Sequence, residues 1–236
     1  AEYVPAFKVA SFTLSHHPFL EQLSEYDKPV IMSTGGHEQD DIKEAVDVLR
    51  ENGVDDIALL HCVSSYPTPL EKINVRAVET LQGEFDTVVG LSDHTTDPTT
   101  ASAAAVAIGA SIVEKHFTLD KDMDGPDHSF ALEPDELAEM IRQIRKTDQA
   151  LGTGVLDVSP IEAGTVNRAS RSIFAVRDIT KGETISEETV RALRPGDIDS
   201  EGLAPKYMND VVGSTAINDI SEKDPINEND IDAQVQ

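Results

Sequence analysis

The stretch IALLHCVSSYPTPLEKINVRAVETLQGEFDTVVGLSDHT, residues 57–95, sets the reading of the whole chain. It opens on a short apolar run, Ile57–Cys62, passes through a segment of helical period over Leu70–Gln82, and closes on a second apolar run, Val88–Leu91. Short runs rich in branched apolar residues predict strands buried on both faces, as in parallel sheets whose crossover helices cover them. Each run hands over to groups capable of chemistry: His61 to Tyr66 after the first, and Ser92-Asp93-His94 after the second.

The same unit recurs in both directions. Phe7–Ala10 and Pro29–Met32 before it and Ser111–Glu114 after it bring the total to about five strands. Asp40–Asn52, Pro98–Ile108 and Pro134–Leu151 read as further helices. In the last, Leu137, Met140, Ile141 and Ile144 keep the spacing of one helical face, and Pro134 suits a first turn. Alternating strands and helices imply either an open doubly wound sheet or a (β/α) barrel. The polar residues favour the barrel. Ser11, Ser33-Thr34-Gly35, His61 to Tyr66, Ser92-Asp93-His94 and Lys115-His116 each follow the C-terminal end of a strand. A ring of functional loops around one face is a barrel's habit, whereas an open sheet gathers its ligands at one switch point. The expected fold is therefore α/β, a partial (β/α)8 TIM barrel over residues 1–152. It would hold about strands 4 to 8, with roughly three more falling before Ala1.

After Leu151 the pattern changes. Gly152-Thr-Gly154 leads through a linker over 153–169 into short strands and turns with no long helix. There Ala175-Val-Arg-Asp178-Ile179, followed by Ile185 and Val190, returns forty-one positions later as Ala216-Ile-Asn-Asp219-Ile220, followed by Ile226 and Ile231. Two copies of one short β unit at a fixed offset predict a small pseudo-symmetric β domain over 170–236, with its core buried between the halves.

Lys and Arg total 19 against 44 Asp and Glu, a formal charge of −25, while 39% of residues are hydrophobic, enough for globular structure. Such a charge repels phosphate backbones and anionic lipid, and no basic patch offsets it, so neither nucleic acid nor a membrane is an expected partner. The acidic residues, as at Asp55–Asp56, Asp120–Asp124, Asp197–Glu201 and Glu228–Asp232, are spread through helices and turns. That suits a halophilic protein kept soluble in high salt, where screening weakens self-repulsion, although an ordinary acidic mesophilic protein has similar totals. Cys62 is the only cysteine, so no intrachain disulfide forms. No run approaches the ~18 apolar residues of a membrane span, and a cytoplasmic location is expected. The chain opens on Ala1 with no cleavable leader ahead of the first strand, which reads as a removed segment or a fragment.

His61-Cys-Val-Ser-Ser-Tyr-Pro-Thr-Pro69, Gly90-Leu-Ser-Asp-His-Thr95, Glu114-Lys-His-Phe-Thr118 and Gly125-Pro-Asp-His128 together resemble the sialic acid synthase family, from about Phe7 to the end of the chain. Members of that family join a phosphoenolpyruvate-binding TIM barrel to a SAF, or antifreeze-like, domain. Arg171-Ser-Ile173, Asp178-Ile179-x-x-Gly182 and Leu193-Arg-Pro-Gly196 are similar to motifs of the second domain. Several ordered motifs across two domains are far more specific than a lone glycine loop.

The resemblance implies a transferase that condenses phosphoenolpyruvate with an N-acylated amino sugar and water. N-acetylneuraminate from N-acetylmannosamine is the default product; legionaminic, pseudaminic or 9-phosphate products are the alternatives. His94 and His116 are implied to hold Mn2+ or Mg2+, which would polarise the sugar aldehyde, and they are counted as catalytic together with Asp127. Imidazoles just past adjacent strands can converge on one ion, though either histidine seen alone would more often be a capping or packing residue. Phosphoenolpyruvate is a compact trianion, and the resemblance assigns it Lys8, Ser11, Ser33 and Ser92, with Ser64 standing where some relatives carry asparagine. Lysine brings charge and the serines directed hydrogen bonds, while a strand-end serine can also merely cap the next helix. Tyr66, Asp127 and Arg194 are implied to contact the sugar, Arg194 across a domain-swapped homodimer. Without that context Asp127 reads as a turn residue and Arg194 as an exposed charge.

Two departures stand out. Thr13 occupies the position where relatives usually place a glutamate, and a neutral hydroxyl cannot act as a base near neutral pH. A barrel without its first strands would leave unpaired edges and an open core, so reduced stability or activity is expected unless the rest is supplied. From a different class comes a non-catalytic binding module working through its SAF domain. For the acidic surface, the melting temperature should rise as KCl goes from dilute to molar; a fall would contradict the halophilic reading.

Overall fold

The computed structural model describes residues 3–194 and 202–233, and divides the chain into two compact units, Ala1–Gly154 and Val155–Gln236. The acidic run Asp197–Glu201, and Pro195 and Gly196 of the motif Leu193-Arg-Pro-Gly196, lie outside the described residues.

In the first unit five parallel strands stand side by side in chain order: β1 (Phe7–Val9), β2 (Val30–Ser33), β3 (Ile57–Cys62), β4 (Val88–Asp93) and β5 (Ile112–Lys115). No strand crosses over, so there is no reversal of order at which a doubly wound sheet would place its ligand site. Consecutive parallel pairing instead winds the sheet one way into a curled half-barrel, as the sequence predicts.

Alternation along the strands assigns two jobs to two faces. Val9, Met32, Leu59, Val89 and Leu91 point outward and are buried against the helices. The helices are α1 (His17–Ser24), α2 (Gln39–Glu51), α3 (Ala77–Glu84), α4 (Thr100–Ala107) and α5 (Pro134–Leu151). Leu20, Leu23, Ile42, Val46, Leu49, Val78 and Leu81 supply their side of that core. The in-between positions, including Lys8, Ile31, Ser33, Ala58, Leu60, Val88, Gly90, Ser92, Ile112 and Glu114, form the other, concave face. Here the expectation of strands buried on both faces needs correction: Val88 is 50% exposed and all four residues of β5 are only partly buried. Helices cover the outer face, but the inner one has only the strands of the half-barrel opposite it.

Helix ends follow local chemistry. Glu38 and Asp41 form a capping box at the start of α2, and Glu133 and Glu136 form one at the start of α5, each satisfying backbone N–H groups that no helical carbonyl can reach. The helix expected over Leu70–Gln82 is broken into a single 3-10 turn, Leu70–Lys72, and α3. Asn74 adopts a left-handed φ of 49°, and the His61 ring takes up the Ile73 carbonyl at 2.7 Å, so the carbonyl ladder stops there. Helix α1 carried no signal strong enough to mark it; Leu20 and Leu23 bury its inner side, with Phe19 packed beside them. On α5 only Met140 of the apolar stripe is buried, while Ile141 stays 42% exposed. No helix among the described residues is long and apolar enough to cross a membrane.

The second unit holds α6 (Ala163–Ala169), an antiparallel pair β6 (Ser172–Ala175) and β7 (Val190–Leu193), and a short α7 (Met208–Val211). Its construction is the repeat. Ala175, Ile179, Ile185 and Val190 are buried, and so are their counterparts Ala216, Ile220, Ile226 and Ile231. The two copies hydrogen-bond reciprocally: Ile179 and Ile220 exchange N–H to carbonyl bonds of 2.8 Å in both directions. Gly182 N–H donates to the Ala216 carbonyl as Lys223 N–H donates to that of Ala175. The Asp178 carboxylate accepts the Glu222 N–H at 2.8 Å, and the Asp219 carboxylate accepts the Lys181 N–H at 2.7 Å. The match includes backbone shape, since Gly182 has φ 86° and Lys223, its counterpart, φ 74°. Only the first copy uses the residue for which that region is free of strain. Lys223→Gly should therefore raise stability by about 0.5–1 kcal/mol in denaturant unfolding, despite the entropy a glycine adds to the unfolded chain.

Candidate active site

At the C-terminal ends of the strands the concave face turns from apolar to polar. Lys8 on β1 donates to Ser33 Oγ on β2 at 2.8 Å and pairs with Glu114 on β5 at 3.5 Å. Ser92 on β4 donates its hydroxyl to Glu114 at 2.7 Å. Four strands thus contribute one side chain each to a single network. Ser92 departs from its expected part as a free donor, because its proton is committed to Glu114. Glu114 itself had gone unmarked as a site residue; its signal was a carboxylate in phase with Ile112, at an inward position of the strand.

Next to this network the loop after β2 folds against β3. Gly35 N–H donates to Ser11 Oγ at 3.0 Å, and a Cβ on Gly35 would lie 2.4 Å from Ser64 Oγ and 3.0 Å from Cys62 Sγ. Only glycine fits there. Ser64 Oγ is buried in the cradle formed by Ser11, Gly35 and Cys62, makes no hydrogen bond of good geometry, and lies near enough to the Cys62 thiol and the Tyr66 hydroxyl to favour the ionised form of each. Thr13 closes the turn Ser11–Thr13 beside them.

The third part is an imidazole and aromatic cluster built by the loops after β3, β4 and β5. The rings of His94 and His116 lie 5.2 Å apart, edge to face, with Tyr66 4.2 Å from His94 and Phe130 5.0 Å from His116. Asp127 reaches toward His116, its oxygen 3.8 Å from Nδ1. Phe130, missed in the sequence, is buried in the turn that follows Gly125-Pro-Asp-His128. Arg194 is exposed just past β7, in the second unit. Lys115, which stood among the strand-end groups, does not face this space: its ammonium is buried against Asp93.

Electrostatics distinguish the two histidines. Burial, then the nearby His94, holds His116 below the ordinary imidazole value, so it is neutral near pH 7 with one nitrogen lone pair to offer. Burial also works against charging His94, but the Cys62 sulfur, the Val63 carbonyl and Asp93 outweigh it and raise its value. For Cys62 burial opposes ionisation, and His94, Ser11 and Ser64 together bring the thiol below its usual value. Burial foremost pushes the Tyr66 hydroxyl up, keeping it a neutral donor. His94 Nδ1 sits 2.9 Å from the Val63 carbonyl, which fixes a proton there and leaves Nε2 as the free nitrogen.

This donor set fits a divalent cation held by two imidazoles. Among the described residues no group of three or more His, Cys, Asp or Glu side chains is arranged around one point, so two imidazoles are all that this site offers as such a set. A separate cleft of about 620 Å3 opens at the opposite, N-terminal ends of the strands, but its only charged groups are Asp55, Asp56 and Asp86, unsuited to an anionic substrate.

The NeuB family matches residues 2–156 and the SAF domain residues 170–232. Uncharacterized protein MJ1065 of Methanocaldococcus jannaschii is 45% identical over 94% of this chain and 65% of its own length. The N,N'-diacetyllegionaminic acid synthase of Campylobacter jejuni is 38% identical over 94% of this chain and 66% of its own length. Among solved structures, the spore coat polysaccharide biosynthesis protein SpsE of Bacillus subtilis superposes with a TM-score of 0.60 at 40% identity, covering 97% of this chain and 68% of that one. The chain spans just under two thirds of the length of these two curated relatives.

His61, on the outer side of β3 with its ring on the Ile73 carbonyl, offers a test of the packing behind the site. Burial holds its value below the ordinary one, so between the two values the unfolded chain binds more protons than the folded one, and stability falls as pH drops through about 6.5. The stability difference between the protein and His61→Asn, followed by urea unfolding from pH 8 to 5, should shrink toward acid; a constant difference would refute the shift.

Proposed function

This chain belongs to the NeuB family and continues into a SAF domain, and we propose that its barrel mouth condenses phosphoenolpyruvate with an N-acylated amino sugar to make a nonulosonic acid. The observation that supports this reading is the occurrence, at the C-terminal ends of the strands, of a hydrogen-bonded lysine and serine, Lys8 and Ser33, and of two imidazoles edge to face 5.2 Å apart.

In a chain of net charge −25, a trianion is held only where a cation and directed donors are concentrated. Lys8 supplies the charge, Ser33 and the Ser11–Gly35 cradle the directed bonds, and Ser64 a buried hydroxyl beside them. His94 and His116 would hold Mn2+ or Mg2+, which supplies a Lewis acid for the open-chain aldehyde. Tyr66 and Phe130 wall the same space with apolar faces suited to sugar C–H groups, and Asp127 is open to accept a sugar hydroxyl. With both substrates so aligned, C3 of phosphoenolpyruvate attacks the aldehyde carbon. Water adds at the cationic C2, and phosphate leaves by cleavage of its C–O bond. The protein's contribution is alignment and charge stabilisation. Thr13 leaves proton transfer to another group or to water.

For the sugar, N-acetylmannosamine with N-acetylneuraminate as product is the default. The identity of 38% to an N,N'-diacetyllegionaminic acid synthase favours a bacillosamine-type sugar as the second reading. An Arg194 contribution to the site of a second subunit belongs to the same proposal.

Purified protein with Mn2+ should release phosphate from phosphoenolpyruvate only when the matching sugar is present, and His94→Ala or His116→Ala should cut the rate by about 100-fold or more. No release with any of these sugars would remove the catalytic claim. Calorimetry separates it from a pure interaction module, which would give no metal-dependent heat with phosphoenolpyruvate.

A further inference from the structure

Behind the two histidines lies an ion pair that takes no part in the mouth. Lys115 and Asp93 side chains are 2% and 0% exposed, and their charged atoms are 2.7 Å apart. The Lys115 ammonium also donates to the Thr95 carbonyl at 2.5 Å, to Thr95 Oγ1 at 3.2 Å and to the Asp97 carbonyl at 3.3 Å. Asp93 accepts the Thr95 N–H at 2.8 Å, and Asp97 in turn accepts the N–H groups of Thr99 and Thr100 at the start of α4. Every proton of the lysine is used within the protein, so it has none to offer a substrate.

Stability is a poor reason for such a pair. Two charges moved out of water lose hydration that their attraction only about repays, and apolar residues of similar volume usually serve as well or better. What the pair supplies is geometry. Asp93 and Lys115 are register partners, the last before the strands end, and the next residue of each chain is His94 and His116. The ammonium gathers Asp93, Thr95 and Asp97, the residues that surround His94 in the chain, onto the end of β5. Both histidine carbonyls are held as well, His94 by the Thr68 N–H and His116 by the Leu132 N–H, each at 2.9 Å.

We propose that Asp93 and Lys115 are positioning residues, whose buried pair fixes the spacing and orientation of the His94 and His116 rings and thereby the grip on a divalent cation. The second half of this statement rests on the metal reading given above; the first does not. The test replaces the pair by an apolar one, Asp93→Leu with Lys115→Met, in the full chain. Thermal unfolding, the imidazole nitrogen signals by NMR without metal, and Mn2+ affinity by electron paramagnetic resonance are then recorded. The expected result is a melting temperature close to the parent's, loss of the slowly exchanging His94 Nδ1 proton held by Val63, and about 10- to 100-fold weaker Mn2+ binding. A folded variant with parental imidazole signals overturns the proposal. So does parental Mn2+ affinity. A parent that binds no Mn2+ removes the metal reading alone, since the imidazole signals still decide whether the pair positions the rings. Should the double variant not fold, Thr95→Val removes one contact from each partner; a shift of both readouts in the same direction by a few-fold supports positioning, and no shift in either overturns it.

Discussion

Everything in the first unit depends on the two-residue period of five parallel strands laid side by side in chain order. That period forces each strand to show one face to the helices and the other to the concave interior, and winding without a crossover makes all five interiors face one space. Val9, Met32, Leu59 and Leu91 are consequently core, while Lys8, Ser33, Ser92 and Glu114, one residue out of phase, are brought within hydrogen-bonding reach of each other. A one-residue slip in any strand would exchange the two sets, placing a lysine or a carboxylate under a helix. Register and site are thus the same constraint.

Charge is arranged against the background of the chain. The protein carries −25 overall, yet the cation that serves the concave face, Lys8, is balanced by Glu114 at 3.5 Å and by a serine hydroxyl. Partners of this kind hold the ammonium extended over the face. The second lysine near the strand ends, Lys115, is treated in the opposite way, buried to 2% and saturated. Two lysines, on β1 and at the end of β5, have been given different work by their direction alone. One points into the barrel and the other toward the loop that carries His94.

The second unit solves its problem of small size by repetition. Neither copy of the β unit could bury Ala175, Ile179, Ile185 and Val190, or Ala216, Ile220, Ile226 and Ile231, without the other. Reciprocal backbone bonds and the paired Asp178 and Asp219 carboxylates tie the two together. Where the copies differ in residue but not in backbone, as at Gly182 and Lys223, the fold has kept its shape at the expense of local preference.

Much of this was legible in the chain itself. The five strands, most of the helices, the repeat and the concentration of histidine and serine at strand ends all follow from periodicity, which records how many residues separate one buried side chain from the next. What periodicity cannot carry is the direction of a polar side chain at a strand end. Ser92 and Lys115 read as free functional groups, and tertiary structure commits the first to Glu114 and the second to Asp93, partners 22 residues away in each case. Glu114 and Phe130 went unmarked because their part in the site depends on neighbours from other strands and turns. The break at Asn74 depends on His61 claiming a carbonyl across the fold. Sequence alone determined which residues are inside and how often the chain turns, because burial is written locally, in the spacing of apolar residues. Tertiary structure decided which polar groups meet, because that depends on contacts between strands that no local pattern encodes.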